Sequence, residues 1–296
     1  MEHNKQNNYP SIWVQDILNK DFQLSLRVKE ILYSKQSSFQ RVDVVDTYEV
    51  GKVLLNDGIF MLSEKDEFIY HEMISHVALF SHPKPKRVLI IGGGDGGTAR
   101  EVLRHDCLEK IIMVEIDEAV VEACRLHIPQ TGDCLNQHDP RFELLIDDGV
   151  AYIKNHIAQQ EQKFDVIIVD STDPIGPAAP LFNHSFYENV KQCLNEGGVV
   201  VSQAESPFLL QEEQKHLLTI LKDTFESVHI YNYCNMIYPG GPYSFSIAGD
   251  GKLNPKTIVR EEEAKELFTQ YYSLEMHKSS FILPRFQRDY LKQILL

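Results

Sequence analysis

The chain is poor in paired cysteines, in long apolar runs and in positive charge, and each shortage removes a class of protein. Its five cysteines (Cys107, Cys124, Cys134, Cys193 and Cys234) are scattered and form no C-x-x-C pair, which indicates neither a disulfide framework nor a zinc site. Such usage suits a reducing cytosol. No apolar run approaches the roughly 18 residues of a membrane span, and Met1 to Asn8 lack the apolar core of a signal peptide. A soluble, cytoplasmic protein is expected. Basic residues number 29 against 43 acidic ones, a net charge of -14. Nucleic acid and anionic membrane surfaces need a basic patch and are therefore not expected as partners. Cationic small molecules are favoured, although acidity also serves solubility alone. The one tryptophan, Trp13, reads as packing within the N-terminal part.

What is present is a clear change of period. At 296 residues there is room for a large domain and a smaller one. Phe22, Leu24, Leu26 and Val28 alternate with polar residues, and the runs Arg41 to Asp46 and Lys52 to Leu55 are rich in β-branched residues. This predicts a small antiparallel β domain over residues 1–64, closed by the turn Asn56-Asp57-Gly58. A helix follows, opened by Ser63 with Asp66 three residues on and carrying Ile69, Met73, Val77 and Phe80 at helical spacing. Tyr70 and His71 lie off that stripe, free to face a cleft. Residues 65–296 then alternate apolar strand-like runs (Val88 to Ile91, Ile111 to Glu115, Phe142 to Ile146, Asp165 to Val169, Val199 to Gln203) with helical stretches. That alternation predicts an α/β fold with a parallel sheet covered on both faces. Two closely spaced runs, Ser227 to Asn232 and Tyr243 to Ala248, predict a final antiparallel pair.

Gly92, Gly94 and Gly97 fit G-x-G-x-x-G directly after a strand-like run, and Glu115 ends the next such run, as a nucleotide-binding βαβ unit requires. Asp95 stands inside the glycine loop, where a desolvated carboxylate would repel a pyrophosphate. The expected ligand therefore carries adenosine without phosphate, and a positive charge. Ligands of open α/β sheets lie beyond the carboxyl ends of the strands. Four such ends here carry acids: Asp95, Glu115, Asp147-Asp148-Gly149 and Asp170-Ser171-Thr172-Asp173-Pro174. One strand-end acid is usually a cap; four in one crevice repel one another and ask for a cationic ligand. Glu115 is placed for ribose hydroxyls and Asp148 with Gly149 for an adenine edge, the adenosyl half of a sulfonium compound. Asp170 and Asp173 then lie at the reacting end, in a tight non-helical loop.

Four stretches carry a resemblance: Val88 to Gly97, Asp66 to Met73 (Asp-Glu-Phe-Ile-Tyr-His-Glu-Met), Val114 to Asp117 (Val-Glu-Ile-Asp) and Asp170 to Pro177 (Asp-Ser-Thr-Asp-Pro-Ile-Gly-Pro). They resemble the motifs of the spermidine synthase, or polyamine aminopropyltransferase, family over about residues 33–249. The resemblance implies a Rossmann-like, methyltransferase-like doubly wound domain behind the β domain, and a homodimer or homotetramer. It implies aminopropyl transfer from decarboxylated S-adenosylmethionine, a co-substrate, to a diamine, typically putrescine, with no further cofactor and no metal. By position, Asp170 matches the proton acceptor and Asp173 its partner in holding the amine. Asp95 and His71 match polyamine contacts, and Tyr70 and Tyr238 the tyrosines of the amine channel. Gln40, Glu115, Asp148, Gly149 and Pro177 match adenosyl-side residues, joined by the loop glycines Gly92 and Gly94. Met61 departs from a common Gln, and Asn56 from a common Leu, so the acceptor amine stays open among putrescine, agmatine, cadaverine and spermidine.

Without the motifs, His71 would read as an ordinary surface or core histidine and Tyr238 as a packed turn aromatic. Three rival functions follow: a putrescine N-methyltransferase using intact S-adenosylmethionine, an NAD-dependent oxidoreductase, and a polyamine-binding protein without activity. The donor separates the first from aminopropyl transfer. Asp95 and the acidic loop argue against the second, and Asp170 against the third.

Overall fold

The structure is a computed structural model that describes residues 11–136, 138–174 and 176–295. The polar stretch Met1 to Asn8 lies outside the described residues.

The N-terminal sheet is an antiparallel meander of β1 (Ile12–Gln15), β2 (Ser25–Gln36), β3 (Arg41–Thr47), β4 (Lys52–Asn56) and β5 (Ile59–Ser63), paired in that order. The turn Asn56-Asp57-Gly58 does not close this unit; it joins β4 to β5. Asp57 and Gly58 have φ of 49° and 82°, the two positive values that let a two-residue loop match strand twist. Phe22 falls before β2 and is largely exposed, because the alternating pattern continues past the point where pairing ends. Trp13 is 55 % exposed, so it does not pack within the domain as expected. Its strand, β1, pairs only with β2 at the sheet edge, and an edge strand has one unpartnered side.

Helix α1 (Glu67–Ser81) follows. Ser63 is not its cap: it ends β5, and its Oγ donates to Asp66 Oδ1 at 2.5 Å. Asp66 holds the N-cap position without capping, since its Oδ2 accepts from the Met236 and Ile237 amides at 2.6 and 2.9 Å. A tertiary contact has taken the acid that a local rule would use. Nor is α1 amphipathic; His71, Glu72, Ser75 and His76 are buried along with its apolar residues.

The second sheet is built from β6 (Arg87–Gly92), α2 (Gly97–Leu103), β7 (Lys110–Glu115), α3 (Glu118–His127), the short α4 (Pro129–Gly132), β8 (Phe142–Ile146), α5 (Gly149–Ala158), β9 (Phe164–Asp170), α6 (His184–Cys193), β10 (Leu194–Gln203), α7 (Gln211–Thr224), β11 (Ser227–Tyr233) and β12 (Tyr243–Gly249). Strand order is β11-β12-β10-β9-β6-β7-β8. The five strands from β10 to β8 are parallel. β12 inserts between β10 and β11 and is antiparallel to both. Val88, Ile90, Val166 and Ile168 face one core with α1 and α2, while Leu89, Ile91, Ile167 and Val169 face a second with α6 and α7. Each such side chain contributes roughly 1.5–3 kcal/mol on burial, which is why these strands read as unbroken apolar runs. The chain ends in α8 (Glu261–Glu266), α9 (Leu274–Ser280) and α10 (Arg285–Leu295). The Glu72 carboxylate ties this segment to α1 by accepting from the amides of Gln270, Tyr271 and Tyr272.

The fold is thus a Rossmann-like α/β sheet preceded by a small antiparallel one. Val42, Val44, Leu54 and Leu62 of the small sheet pack on Ala119, Val120 and Ala123 of α3. The small sheet therefore stands beside the carboxyl ends of the parallel strands. Among the described residues, no helix is long and apolar enough to cross a membrane.

Candidate active site

Strand order reverses between β6 and β9, the switch point where open sheets bind ligands. Gly92 and Asp170 are register partners there. Gly92 has φ of 83°, and a Cβ on it would meet the Asp170 carbonyl oxygen at 2.1 Å. Only glycine lets the loop turn across the next strand end. The Gly93 amide then donates to that same carbonyl at 2.9 Å.

A cleft of about 140 Å³ opens over this point. The parallel sheet and its loops line it with Gly92, Gly94, Asp95, Glu115, Asp148, Gly149, Asp170 and Pro177. The small sheet adds Asn56 and Met61, with Gln40 just before β3, and α1 adds Tyr70 and His71. A smaller pocket shares Met61, Tyr70, Ser171, Thr172 and Tyr238 with the cleft and is further lined by Asp16, Asp173 and Gln203. The structure thus gathers every site residue expected from the sequence into two connected spaces, all but Asp173 lining the larger one.

Asp170 ends β9 and is buried. Its Oδ1 accepts from the Tyr70 hydroxyl at 2.7 Å and its Oδ2 from the Thr98 hydroxyl at 2.6 Å. Burial raises its pKa and the Asp95 charge adds to this, against the two hydroxyl bonds. The result is a fixed carboxylate more basic than one in water.

Asp95 is less free than a lone seat for a cation would be. Its Oδ1 accepts from the Gly97 amide at 2.7 Å and pairs with His71 Nε2 at 3.2 Å. The other ring nitrogen, Nδ1, meets Glu67 Oε2 at 2.5 Å. Burial opposes the imidazolium, but the Asp95 and Glu67 carboxylates override it and raise its pKa to about 10.

Glu115 ends β7; its Oε2 accepts from the Gly94 amide at 3.0 Å and its Oε1 from the Asp117 amide at 2.8 Å. Burial pushes its carboxyl up to about 7, against those amide bonds. A Cβ on Gly94 would lie 2.8 Å from Glu115 Oε2, so any larger residue there would force the acid to move. Asp148 is the N-cap of α5, its Oδ1 accepting from Val150 and Ala151; the cap reading holds, and the residue also faces the cleft. Gln40 Nε2 donates to Asp117 Oδ2 at 3.2 Å, tying the small sheet to the start of α3. The Tyr238 hydroxyl donates to the Met61 carbonyl at 2.7 Å across the waist between the two spaces.

Nothing in the sequence singles out Thr98 or Asp16. Glu67 carries a signal, four residues before His71 on a helix. Glu205 carries another, as a fifth acid just beyond the end of a parallel strand. It is buried at a strained φ of 62°, and neither carboxylate oxygen has a partner among the described residues. Burial pushes it well above the usual carboxylate range, and the nearby Asp173 charge pushes it further. Among the described residues, no group of three or more His, Cys, Asp or Glu is arranged to hold a metal ion.

Known proteins resemble this chain along nearly its whole length. Residues 12–64 match the family model described as spermidine synthase tetramerisation domain, and residues 67–257 match the spermine/spermidine synthase domain. The polyamine aminopropyltransferase of Methanocaldococcus jannaschii is 44 % identical over 289 residues, covering 96 % of both chains. That of a Thermoanaerobacter species is 42 % identical, covering 96 % of this chain and 99 % of its own. A spermidine synthase solved with the transition-state analogue AdoDATO superposes with a TM-score of 0.89 at 38 % identity over 95 % of each chain. The spermidine synthase of Thermotoga maritima gives 0.86 at 37 % identity, over 96 % of this chain and 95 % of its own. With both of its sheets matched and its relatives aligned nearly end to end, the chain belongs to the spermine/spermidine synthase family.

Proposed function

We propose that the protein transfers the aminopropyl group of decarboxylated S-adenosylmethionine to putrescine, giving spermidine and 5'-methylthioadenosine. The observation that carries this reading is the placement of Asp170. It is a buried carboxylate, fixed by two hydroxyls at the switch point beside a glycine loop that holds an acid instead of welcoming phosphate. The names of the relatives support the reaction class.

The chemistry follows from the groups present. A sulfonium is already a good leaving group, so the difficulty is the nucleophile: an alkyl amine with a pKa of about 10 is protonated at neutral pH, and a carboxylate of about 4 is a weak base. Burial narrows that gap from both sides, raising Asp170 and disfavouring a desolvated ammonium. Asp170 takes the proton as the amine nitrogen attacks the propyl carbon bonded to sulfur. The C–N bond forms, the C–S bond breaks, and its electron pair leaves on sulfur as a neutral thioether. Positioning for in-line attack can supply roughly 7–11 kcal/mol. Glu115, Gln40, Asp148 and the loop glycines would hold the adenosyl part, and Asp95, Asp173, Tyr70 and Tyr238 the amines. No cofactor beyond the co-substrate enters the proposal.

The small sheet leaves Ile12, Trp13, Ile17 and Ile31 exposed, which supports its use in assembling a homodimer or homotetramer. The five free thiols support a cytoplasmic setting. The decisive experiment offers both intact and decarboxylated S-adenosylmethionine against putrescine, cadaverine, agmatine and spermidine, with products identified by mass. Methylthioadenosine with spermidine from putrescine is expected. No methylthioadenosine from any pair would sink the proposal, and methylated putrescine would replace it.

A further inference from the structure

His71 is buried with a carboxylate on each ring nitrogen: Glu67 Oε2 at 2.5 Å from Nδ1 and Asp95 Oδ1 at 3.2 Å from Nε2. A neutral imidazole has one N–H, so one nitrogen would turn a lone pair on a carboxylate oxygen. With a carboxylate against each nitrogen, one hydrogen-bonded and one in ion-pair range, both contacts are attractive only for the imidazolium. Glu67 is itself clamped, its Oε1 and Oε2 accepting from Arg100 Nη1 and Nη2 at 2.7 and 3.0 Å. Arg100 is held in turn by Glu101 Oε1 at 2.7 Å. The room for the ring comes from Gly97, where a Cβ would lie 2.2 Å from His71 ring atoms. The charged groups facing the imidazole are therefore Glu67 from its own helix, Asp95 from the glycine loop, Arg100 from α2 and, further off, Asp170 from β9.

We propose that Glu67 is a positioning residue for the amine site: it keeps His71 protonated on both nitrogens, which holds Asp95 Oδ1 in the ion pair and leaves Asp95 Oδ2 as the acceptor for a substrate ammonium. Asp95 Oδ2 has no hydrogen-bond partner among the described residues, while Oδ1 accepts from the Gly97 amide and lies in ion-pair range of His71 Nε2. With Glu67 removed, a singly protonated His71 could present a lone pair to Asp95, and the carboxylate would turn away from the cleft. The assignment of Asp95 to an amine rests on the proposed aminopropyl transfer; the charge state of His71 does not. The raised pKa of His71 agrees with the geometry.

The test uses full-length protein labelled with 15N-histidine. In the wild type, His71 should show two protonated ring nitrogens from about pH 6 to about pH 9, although an isolated imidazole loses its charge near 6.5. In Glu67→Gln, His71 should titrate near neutrality. The KM for the diamine should then rise about tenfold on the alkaline side, stay near wild type on the acid side, and move more than kcat. Glu67→Asp should restore part of the wild-type profile. A neutral His71 in the wild type at neutral pH overturns the proposal without any variant, so a poorly folding Glu67→Gln leaves it testable. A Glu67→Gln enzyme that loses activity equally at every pH also overturns it, because that is the mark of a structural role alone. Absence of turnover in the wild type would instead refute the reaction, with the His71 resonances still reading the clamp.

Discussion

A carboxylate in water is a poor base, and Asp170 becomes a better one because burial and the Asp95 charge outweigh the hydroxyl bonds from Tyr70 and Thr98. Asp170→Asn keeps the shape and removes the proposed base. It should lower kcat by about 10²–10⁴ while 5'-methylthioadenosine binds as in the wild type, measured by turnover and by calorimetry. Glu115 gives a pH dependence with a definite sign. Its folded carboxyl is raised to about 7, from about 4.3 unfolded, so holding it ionised costs stability that is lost as pH rises through that window. In the proposed donor site, Glu115 would accept from ribose hydroxyls in its ionised form. Methylthioadenosine affinity should therefore weaken about tenfold per unit as pH falls below about 7 and level off above it. Calorimetric titrations at several pH values check this, and Glu115→Gln should flatten the curve.

At the scale of elements, the glycine loop and α1 are one device. α1 is buried almost all round, and its polar residues reach the loop, α2 and the C-terminal segment instead of solvent. Gly97 opens α2 at the point where His71 lies against it. Helix propensity alone would favour Gly97→Ala by up to ~1 kcal/mol. The added Cβ would lie 2.2 Å from the imidazole, and overpacking costs about 1–3 kcal/mol. The net expectation is destabilisation in denaturant titrations and, on the proposed reaction, a raised KM for the amine, because the ring paired with Asp95 is displaced.

At the scale of the molecule, the small sheet serves two sides. One side supplies Gln40, Asn56 and Met61 to the cleft, while β1 leaves Ile12 and Trp13 more than half exposed. Trp13→Glu should leave the protomer's stability within about 0.5 kcal/mol, as for surface changes generally. It should shift the assembly to smaller species in light scattering. The same division explains what was readable beforehand. Alternation in β2 to β4 and the apolar runs of β6 to β10 are local signals, so both sheets were legible. The fifth strand of the small sheet, β5, was not. Asn56-Asp57-Gly58 is an equally good stop or hairpin turn, and only pairing with β5 decides between them. The capping pattern at Ser63 and Asp66 misled because the amides of Met236 and Ile237, far along the chain, use the same carboxylate.

By itself the sequence determined the alternation of strand and helix, the glycine loop and the acids beyond four strand ends, because these follow from side-chain period and backbone sterics over a few residues. The tertiary structure alone decided what each acid does. It paired Asp95 with His71, left Asp170 raised in pKa between two hydroxyls, set Glu67 against the His71 ring and buried Glu205 close to Asp173. Protonation and charge depend on burial and on neighbours through space, and those neighbours come from α1, α2 and the strand ends only after the chain has folded.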